Sequence, residues 1–209
     1  MTWKRLQWEC DIFLAFTVCH TIIAIEYFLI ILKSEFNRTM KLIVINGPCG
    51  IGKSTVSAHL HDAMPLSYLL DVDAVTRNIS HYREYKEERW ELREAVAFST
   101  VDAVLSVGRD ILVEKMIFSE MVLDRYLEIG GKYNADVTEI ILWASKEDVM
   151  KRAEDRGWRE GSLLTKETCE RFWNEMHELK SKRNKAHVID VTGLDEKQVL
   201  EAVQKLLLR

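Results

Sequence analysis

The sequence predicts an α/β fold of three layers, in which a five-stranded parallel sheet carries helices on both faces. After Met40, short apolar runs alternate with segments of helical periodicity, which is typical of a parallel sheet with crossover helices. The stretch GPCGIGKST at 47–55 follows the first apolar run and opens the first helical segment. It matches the phosphate-cradling pattern G-x-x-x-x-G-K-[ST] in the chain context which that pattern requires.

Five apolar runs are predicted as strands. The first, Leu42-Ile43-Val44-Ile45, is continuously apolar, as a strand buried on both faces is. The predicted strands span 42–46, 67–72, 110–114, 138–144 and 186–190.

Six segments with helical periodicity are predicted as helices, and most carry a start or stop residue. Pro65 stops the first, Gly108 ends the second and the pair Gly130-Gly131 ends the third. Ser145 and Thr165 are in N-cap positions. The predicted helices span 52–63, 84–107, 119–128, 145–155, 165–182 and 195–209.

Residues 1–39 differ from the rest and are treated as a separate apolar extension, which leaves 40–209 as the folded domain. The run 12–32 is just long enough for a bilayer of ~30 Å, but it contains His20 and an uncompensated Glu26. Three interpretations stay open: a non-native extension of the gene start, a membrane anchor or peripheral amphipathic helix, and an extra packed helix. The membrane is an expected binding partner only if residues 1–39 are expressed as part of the native protein.

The composition is that of an ordinary globular protein, with 47% hydrophobic and 30% charged residues. The formal net charge of −4 disfavours a protein that coats nucleic acid, although a local basic patch stays compatible with one. Four scattered cysteines show neither metal-ligand spacing nor a disulfide framework. These features favour a cytoplasmic protein with reduced thiols.

The glycine-rich stretch is predicted to bind a nucleotide triphosphate. Backbone N–H groups of such a loop wrap a phosphate, and the following helix N-terminus adds partial positive charge. Lys53 is expected to reach the β- and γ-phosphates, and Ser54 to hold Mg²⁺. The predicted nucleotide-binding residues are Gly47, Pro48, Cys49, Gly50, Ile51, Gly52, Lys53, Ser54 and Thr55.

Three carboxylates follow predicted strands, where ligands of parallel α/β sheets bind. Asp71 and Asp73 are expected on one face of the second strand, where either can accept or orient an attacking hydroxyl. The alternative is that they are turn or helix-cap residues. Glu114 ends the third strand and is predicted to contact the Mg²⁺ shell, unless Lys115 is simply its surface ion partner.

Two groups of arginines are candidates for binding anions. Arg152 and Arg156 are four residues apart and share a helix face, and Arg159 follows between Gly157 and Gly161, as in a mobile lid that closes over a nucleotide. A solvated, salt-bridged surface is the alternative. Arg77 and Arg83 follow the aspartates, where a second substrate would enter, but they also fit a charged helix face.

From Met40 onward the chain resembles the small P-loop kinases of the shikimate, gluconate and nucleoside-monophosphate kinase type. It is most similar to the branch with chloramphenicol phosphotransferase and polynucleotide-kinase-like domains. The resemblance is carried by 47–55, by the segments LDVD at 70–73 and RAEDR at 152–156, and by VIDVTGL at 188–194. Of these, only the first motif is specific.

The resemblance implies a sheet of order 2-3-1-4-5 with a short lid, and ATP and Mg²⁺ as cofactors. It implies that Asp73 is the catalytic base, with Asp71 as the alternative. Arg152 would then lie against the adenine or phosphates, Arg156 and Arg159 would be lid arginines, and the segment 190–194 would approach the adenine. The acceptor-binding motifs of family members with known acceptors are not found, so the acceptor stays open.

The predicted function is transfer of the γ-phosphate of Mg·ATP to a hydroxyl of a small molecule or nucleotide. One alternative is a kinase of nucleic-acid 5′-hydroxyls, which the acidic balance disfavours and the basic run 180–185 keeps open. The other is a non-catalytic nucleotide-binding module.

Overall fold

A computed structural model describes residues 39–157 and 165–208. Within these residues the chain alternates between strands and helices. The strands are β1 (Lys41–Asn46), β2 (Tyr68–Asp71), β3 (Ile111–Glu114), β4 (Asp136–Trp143) and β5 (His187–Asp190). The helices are α1 (Lys53–Ala63), α2 (Val72–Arg77), α3 (Lys86–Ser106), α4 (Glu120–Lys132), α5 (Lys146–Asp155), α6 (Lys166–Lys182) and α7 (Glu196–Leu207).

The five strands form one parallel sheet in the order β2-β3-β1-β4-β5, which confirms the predicted fold class and strand order. Glu114 on β3 is in register with Ile45 on β1 and with Asp71 on β2. The carboxyl ends of these three strands therefore lie side by side, where a parallel α/β sheet binds its ligands.

Helices cover both faces of the sheet. Leu42 and Val44 of β1 belong to a buried cluster that includes side chains of α3 and α4. Ile43 and Ile45 belong to a second buried cluster that includes side chains of α1, α5 and α7. Because successive strand residues point to opposite faces, the continuous apolar run of β1 fills both cores.

Helix α4 runs through the two glycines that were predicted to end it. Gly130 is buried, and a Cβ there would lie 2.3 Å from Cγ2 of Val137 on β4 and 3.1 Å from Cδ2 of Leu42 on β1. The prediction of a helix stop was wrong because glycine at this position permits a close approach of helix and sheet.

Helix α2 was not predicted, and it corrects the interpretation of Asp71 and Asp73. The strand ends at Asp71, and Asp73 lies in the first turn of α2. The two carboxylates therefore do not alternate along one strand face. Asp71 is the N-cap of α2, which is the alternative that the sequence left open.

The predicted N-caps Ser145 and Thr165 are confirmed, since each side chain accepts a backbone N–H of the first helical turn. Asp195 caps α7 in the same way. Almost all of the predicted extension 1–39, together with Arg159 and its neighbours at 158–164, lies outside the described residues. Among helices α1 to α7, none combines the length and apolar character needed to cross a bilayer.

Candidate active site

The glycine-rich loop joins β1 to α1 and is fixed at its start by Asn46. This side chain is buried, and its Oδ1 accepts the N–H groups of Gly47 at 2.8 Å and of Ile117 at 2.9 Å. Its Nδ2 donates to the carbonyl of Ile117 at 2.9 Å. Asn46 thus ties the loop to the segment that follows β3. Sequence analysis missed this role. The available signal was a polar residue, Asn46, between the apolar first strand and the glycine-rich loop.

The loop geometry requires glycine at its first position. Gly47 has a φ of +142°, and a Cβ there would lie 2.4 Å from the carbonyl oxygen of Leu142 on β4. Gly52, at the N-cap of α1, has a φ of +99° and open space around it. The loop therefore combines backbone conformations that favour glycine with close packing against the sheet.

Lys53 is a half-buried cation at the start of α1. Its Nζ donates to the carbonyls of Gly47 at 3.0 Å and of Pro48 at 2.9 Å. Burial lowers the pKa of Lys53 to about 8, and the negative charge of Glu114 opposes this shift. An anion bound at the loop would compensate the buried ammonium, as a phosphate does.

Ser54 and Glu114 form a direct pair across the end of the sheet. Ser54 Oγ donates to Oε1 of Glu114 at 3.1 Å. Burial raises the pKa of Glu114, while the Lys53 charge lowers it and the nearby Asp71 and Asp73 add to the increase. Two of the predicted metal-binding groups are thus brought together beside the loop.

No group of three or more His, Cys, Asp or Glu side chains in the described parts of the chain could hold a metal ion. A hydroxyl with one carboxylate does suit Mg²⁺, which keeps several waters and shares its coordination with substrate phosphates. The residues present therefore fit a magnesium ion that arrives with a nucleotide.

Asp71 and Asp73 make different contacts. Oδ1 of Asp71 accepts the N–H groups of Asp73 at 2.8 Å and of Ala74 at 3.1 Å, and its Oδ2 accepts from Arg77 at 2.9 Å. Asp73 is exposed and contacts the ammonium of Lys115, which follows β3. Asp71 is thus occupied as a cap, whereas Asp73 presents its carboxylate beside a cation.

Lys115 is a site residue that sequence analysis missed, since it was considered only as a partner of Glu114. Its side chain is 16% exposed and pairs with Asp73, 42 positions away in sequence. A pairing over that separation has no local sequence pattern. Only the order of strands β2 and β3 brings the two residues together.

Arg152 and Arg156 line a cavity of about 230 Å³ with Gly50, Gly52 and Thr55 of the loop. Arg152 is held in place by Asp148, to which its Nε donates at 2.7 Å. Both arginines therefore lie beside the glycine-rich loop at 47–55, which is called the phosphate loop from here on. Arg159 falls on residues that the structure does not describe.

The segment 190–194 is connected to the same cavity through Arg152. Its guanidinium donates to the carbonyls of Val191 at 3.1 Å and Leu194 at 3.2 Å. Glu196 and Val199, at the start of α7, complete the wall. The cavity thus lies between the loop and the segment that was expected to approach an adenine.

Arg77 and Arg83 do not line the cavity beside the glycine-rich loop. Arg77 is paired with Asp71, and Nε of Arg83 donates to the hydroxyl of Tyr82 at 3.3 Å. The Arg83 guanidinium also lies 5.7 Å from the centre of the Tyr82 ring. A role for either in binding a second substrate stays a prediction.

A sequence profile described as AAA domain matches residues 42–179, which is more than half of the chain. The chain belongs to the AAA domain family. No curated protein matches this AAA domain at a significant level.

Solved structures that resemble this AAA domain include several small kinases. The tunicamycin resistance protein of Deinococcus radiodurans is 18% identical, with a TM-score of 0.54, over 80% of this chain and 95% of that one. A gluconokinase from Sinorhizobium meliloti is 17% identical, with a TM-score of 0.57, over 79% and 90%. At these identities the likeness establishes a kinase-like P-loop fold.

A third similar structure is the Pnkp1/Rnl/Hen1 RNA repair complex. It is 18% identical with a TM-score of 0.61, and the match covers 70% of this chain but 47% of the other chain. The predicted resemblance to small P-loop kinases is confirmed by the family match together with these structures.

Proposed function

We propose that this chain is a phosphotransferase that moves the γ-phosphate of Mg·ATP to a hydroxyl group of a small molecule or nucleotide. The observation that carries this proposal is the grouping of Lys53 with the Ser54–Glu114 pair at the phosphate loop. Asp73 and Lys115 lie at the neighbouring strand ends, where an acceptor can meet the γ-phosphate. The proposal includes a cytoplasmic location, where Mg·ATP is available.

The phosphate loop binds and orients the triphosphate. The N–H groups of residues 49–55, at the N-terminus of α1 and just before it, are expected to face the phosphates. Lys53 neutralises the β- and γ-phosphate oxygens, and Ser54 with Glu114 holds the magnesium ion that arrives with them. Magnesium supplies charge neutralisation as negative charge spreads over the transferred group.

The acceptor step needs a group that takes one proton. The hydroxyl oxygen attacks the γ-phosphorus, the bond from that phosphorus to the β–γ bridging oxygen breaks, and ADP leaves. The hydroxyl proton passes to the carboxylate of Asp73 and then to solvent. Lys115 pairs with this carboxylate and adds a cation close to the transferred phosphoryl group.

Arg152 and Arg156 line the nucleotide cavity, and we assign them to the nucleotide and to the transferring phosphate, respectively. Arg159 is assigned with Arg156 to the lid. Residues 40–209 form the catalytic domain in this proposal, and the family match begins at residue 42.

The test is transfer of labelled phosphate from ATP to a panel of hydroxyl acceptors. Lys53→Ala is expected to lower kcat about 100-fold or more, because it removes a cation from the transferring phosphate. Asp73→Asn is expected to lower kcat by a factor of about 100 to 10,000 with an unchanged affinity for ATP. Asp62→Asn, at an exposed position of α1, is the matched control and should leave transfer unchanged. Transfer that survives both active-site substitutions would contradict the proposal.

A polynucleotide 5′-hydroxyl kinase is the second candidate, favoured by the similarity to the RNA repair complex. An oligonucleotide with a free 5′-hydroxyl belongs in the acceptor panel for this reason. Phosphorylation of the oligonucleotide, with binding that weakens steeply as salt rises, would select this candidate.

A further inference from the structure

A second cavity, of about 320 Å³, lies at the carboxyl end of β3 and is lined by Lys115. Helix α3 contributes Trp90 and Glu94 to its wall, and helix α6 contributes Phe172. Lys115 also contacts Asp73, so this one side chain connects the cavity with the carboxylate proposed to take the acceptor proton. This volume is typical of a small-molecule site.

Three aromatic side chains contribute to the walls of the cavity. Phe118 and Phe172 have ring centres 5.4 Å apart, and Trp90 belongs to the same lining. Aromatic rings in offset or tilted contact favour a further flat ring as their neighbour. The lining thus suits a ligand with a ring better than an open-chain polyol.

One oxygen atom of the wall, Oε2 of Glu94, has no hydrogen-bond partner among the described residues. Glu94 is 7% exposed, and its Oε1 accepts from the Arg93 guanidinium, with Nε at 3.0 Å. Its Oε2 is buried, and no donor within the described residues is in hydrogen-bond reach of it. A buried carboxylate oxygen without a donor is costly and rare, so a ligand donor that reaches Oε2 from the cavity would be favoured.

We propose that this cavity binds the phosphate acceptor, and that the acceptor is a small uncharged alcohol with a flat ring and an N–H or O–H donor for Glu94. The inference deepens the proposed function and rests on it for the reaction, but not for binding. An anionic sugar acid would meet the carboxylate of Glu94, while the two cations of the wall, Arg93 and Lys115, are already paired with Glu94 and Asp73. A polynucleotide is disfavoured by the size and the aromatic lining of the cavity.

The probes are uridine and 4-hydroxybenzyl alcohol, compared with benzyl alcohol, gluconate and an oligonucleotide with a free 5′-hydroxyl. Binding is measured by saturation-transfer NMR on the full chain with Mg·ADP, and turnover by ADP release. We expect the first two to bind and react, and benzyl alcohol, which lacks the second donor, to bind about tenfold more weakly or worse.

Glu94→Gln replaces an acceptor oxygen by an amide and should raise KM for 4-hydroxybenzyl alcohol about tenfold or more, with kcat and KM for ATP nearly unchanged. Glu91→Gln, at an exposed position one turn earlier on α3, is the matched control and should change neither value. Phe172→Leu tests the aromatic wall and should weaken both ring ligands without changing the affinity for ATP.

The outcomes separate this inference from the kinase proposal. Phosphorylation of gluconate or the oligonucleotide, while uridine and 4-hydroxybenzyl alcohol neither bind nor react, overturns the acceptor class and leaves the kinase in place. Binding of ring alcohols that Glu94→Gln weakens, without turnover of any acceptor, supports the site and contradicts the kinase. Ring-alcohol binding that is equal in wild type and Glu94→Gln overturns the role of Glu94.

Discussion

The strongest structural demand in the phosphate loop is for glycine at position 47, and a substitution by alanine tests it. A Cβ at Gly47 would lie 2.4 Å from the backbone carbonyl oxygen of Leu142, and the φ of +142° is one that alanine rarely adopts. Because the obstacle is backbone in a central strand, it cannot swing aside as a flexible side chain does.

The expected cost has two parts. Holding alanine in a conformation that is nearly restricted to glycine costs about 1–3 kcal/mol, and forcing a methyl group into close packing costs about 1–3 kcal/mol more. Gly47→Ala should therefore lower the free energy of unfolding by about 2–6 kcal/mol, a large share of the ~5–15 kcal/mol typical of a domain.

Gly52→Ala is the matched control, since Gly52 also has a positive φ but has nothing within 4 Å of an added Cβ. It should cost only the backbone part, about 1–2 kcal/mol. Urea unfolding followed by far-UV circular dichroism measures both variants against the wild type. A Gly47→Ala protein as stable as Gly52→Ala would show that the contact with Leu142 is wrong.

Three further predictions concern packing, a buried ion pair and pH. Gly130→Ala should destabilise the protein by about 1–3 kcal/mol, whereas Gly131→Ala, with open space around it, should stabilise it by up to about 1 kcal/mol in urea unfolding. Glu139→Gln breaks a pair with Arg183 whose side chains are 6% and 11% exposed. It should cost about 3 kcal/mol, and a cost near zero would contradict the burial. Since the pKa of Lys53 is about 8, Mg·ATP binding at pH 8 should take up about half a proton. Calorimetry in two buffers of different ionisation enthalpy measures this uptake, which Lys53→Ala should abolish.

The sign of the Lys53 effect on folding follows from the same shift. The pKa of the folded protein, about 8, lies below the ordinary value of 10.5, so the unfolded chain binds more protons between these limits. The contribution of Lys53 to stability therefore increases as pH rises from 8 to 10.5. Lys53→Met should remove this part of the pH dependence.

The architecture could be predicted from the sequence because its determinants are local. The apolar run before Gly47, the glycine spacing and the caps at Ser145 and Thr165 each act within a few residues. These features fix where strands and helices begin, and the alternation of strands and helices then fixes a parallel sheet.

The parts that could not be predicted depend on contacts between distant segments. Gly130 looked like a helix stop because its reason, the approach of Val137, lies in a different element. Asp71 does end β2, but the sequence left its cap role only as an alternative, because an N-cap and a strand end share one position. The pairing of Asp73 with Lys115 exists only because β2 and β3 are neighbours.

The central claim is that the loop that begins at Gly47 binds the phosphates of Mg·ATP with Lys53, Ser54 and Glu114. Isothermal calorimetry of the full chain with ATP, with Mg²⁺ present or replaced by EDTA, tests it most directly. The account predicts binding that Mg²⁺ strengthens, a loss of that strengthening in Glu114→Gln, and weaker binding in Lys53→Ala. Wild-type protein that takes up no Mg·ATP, or that binds it equally well without Lys53, would contradict it.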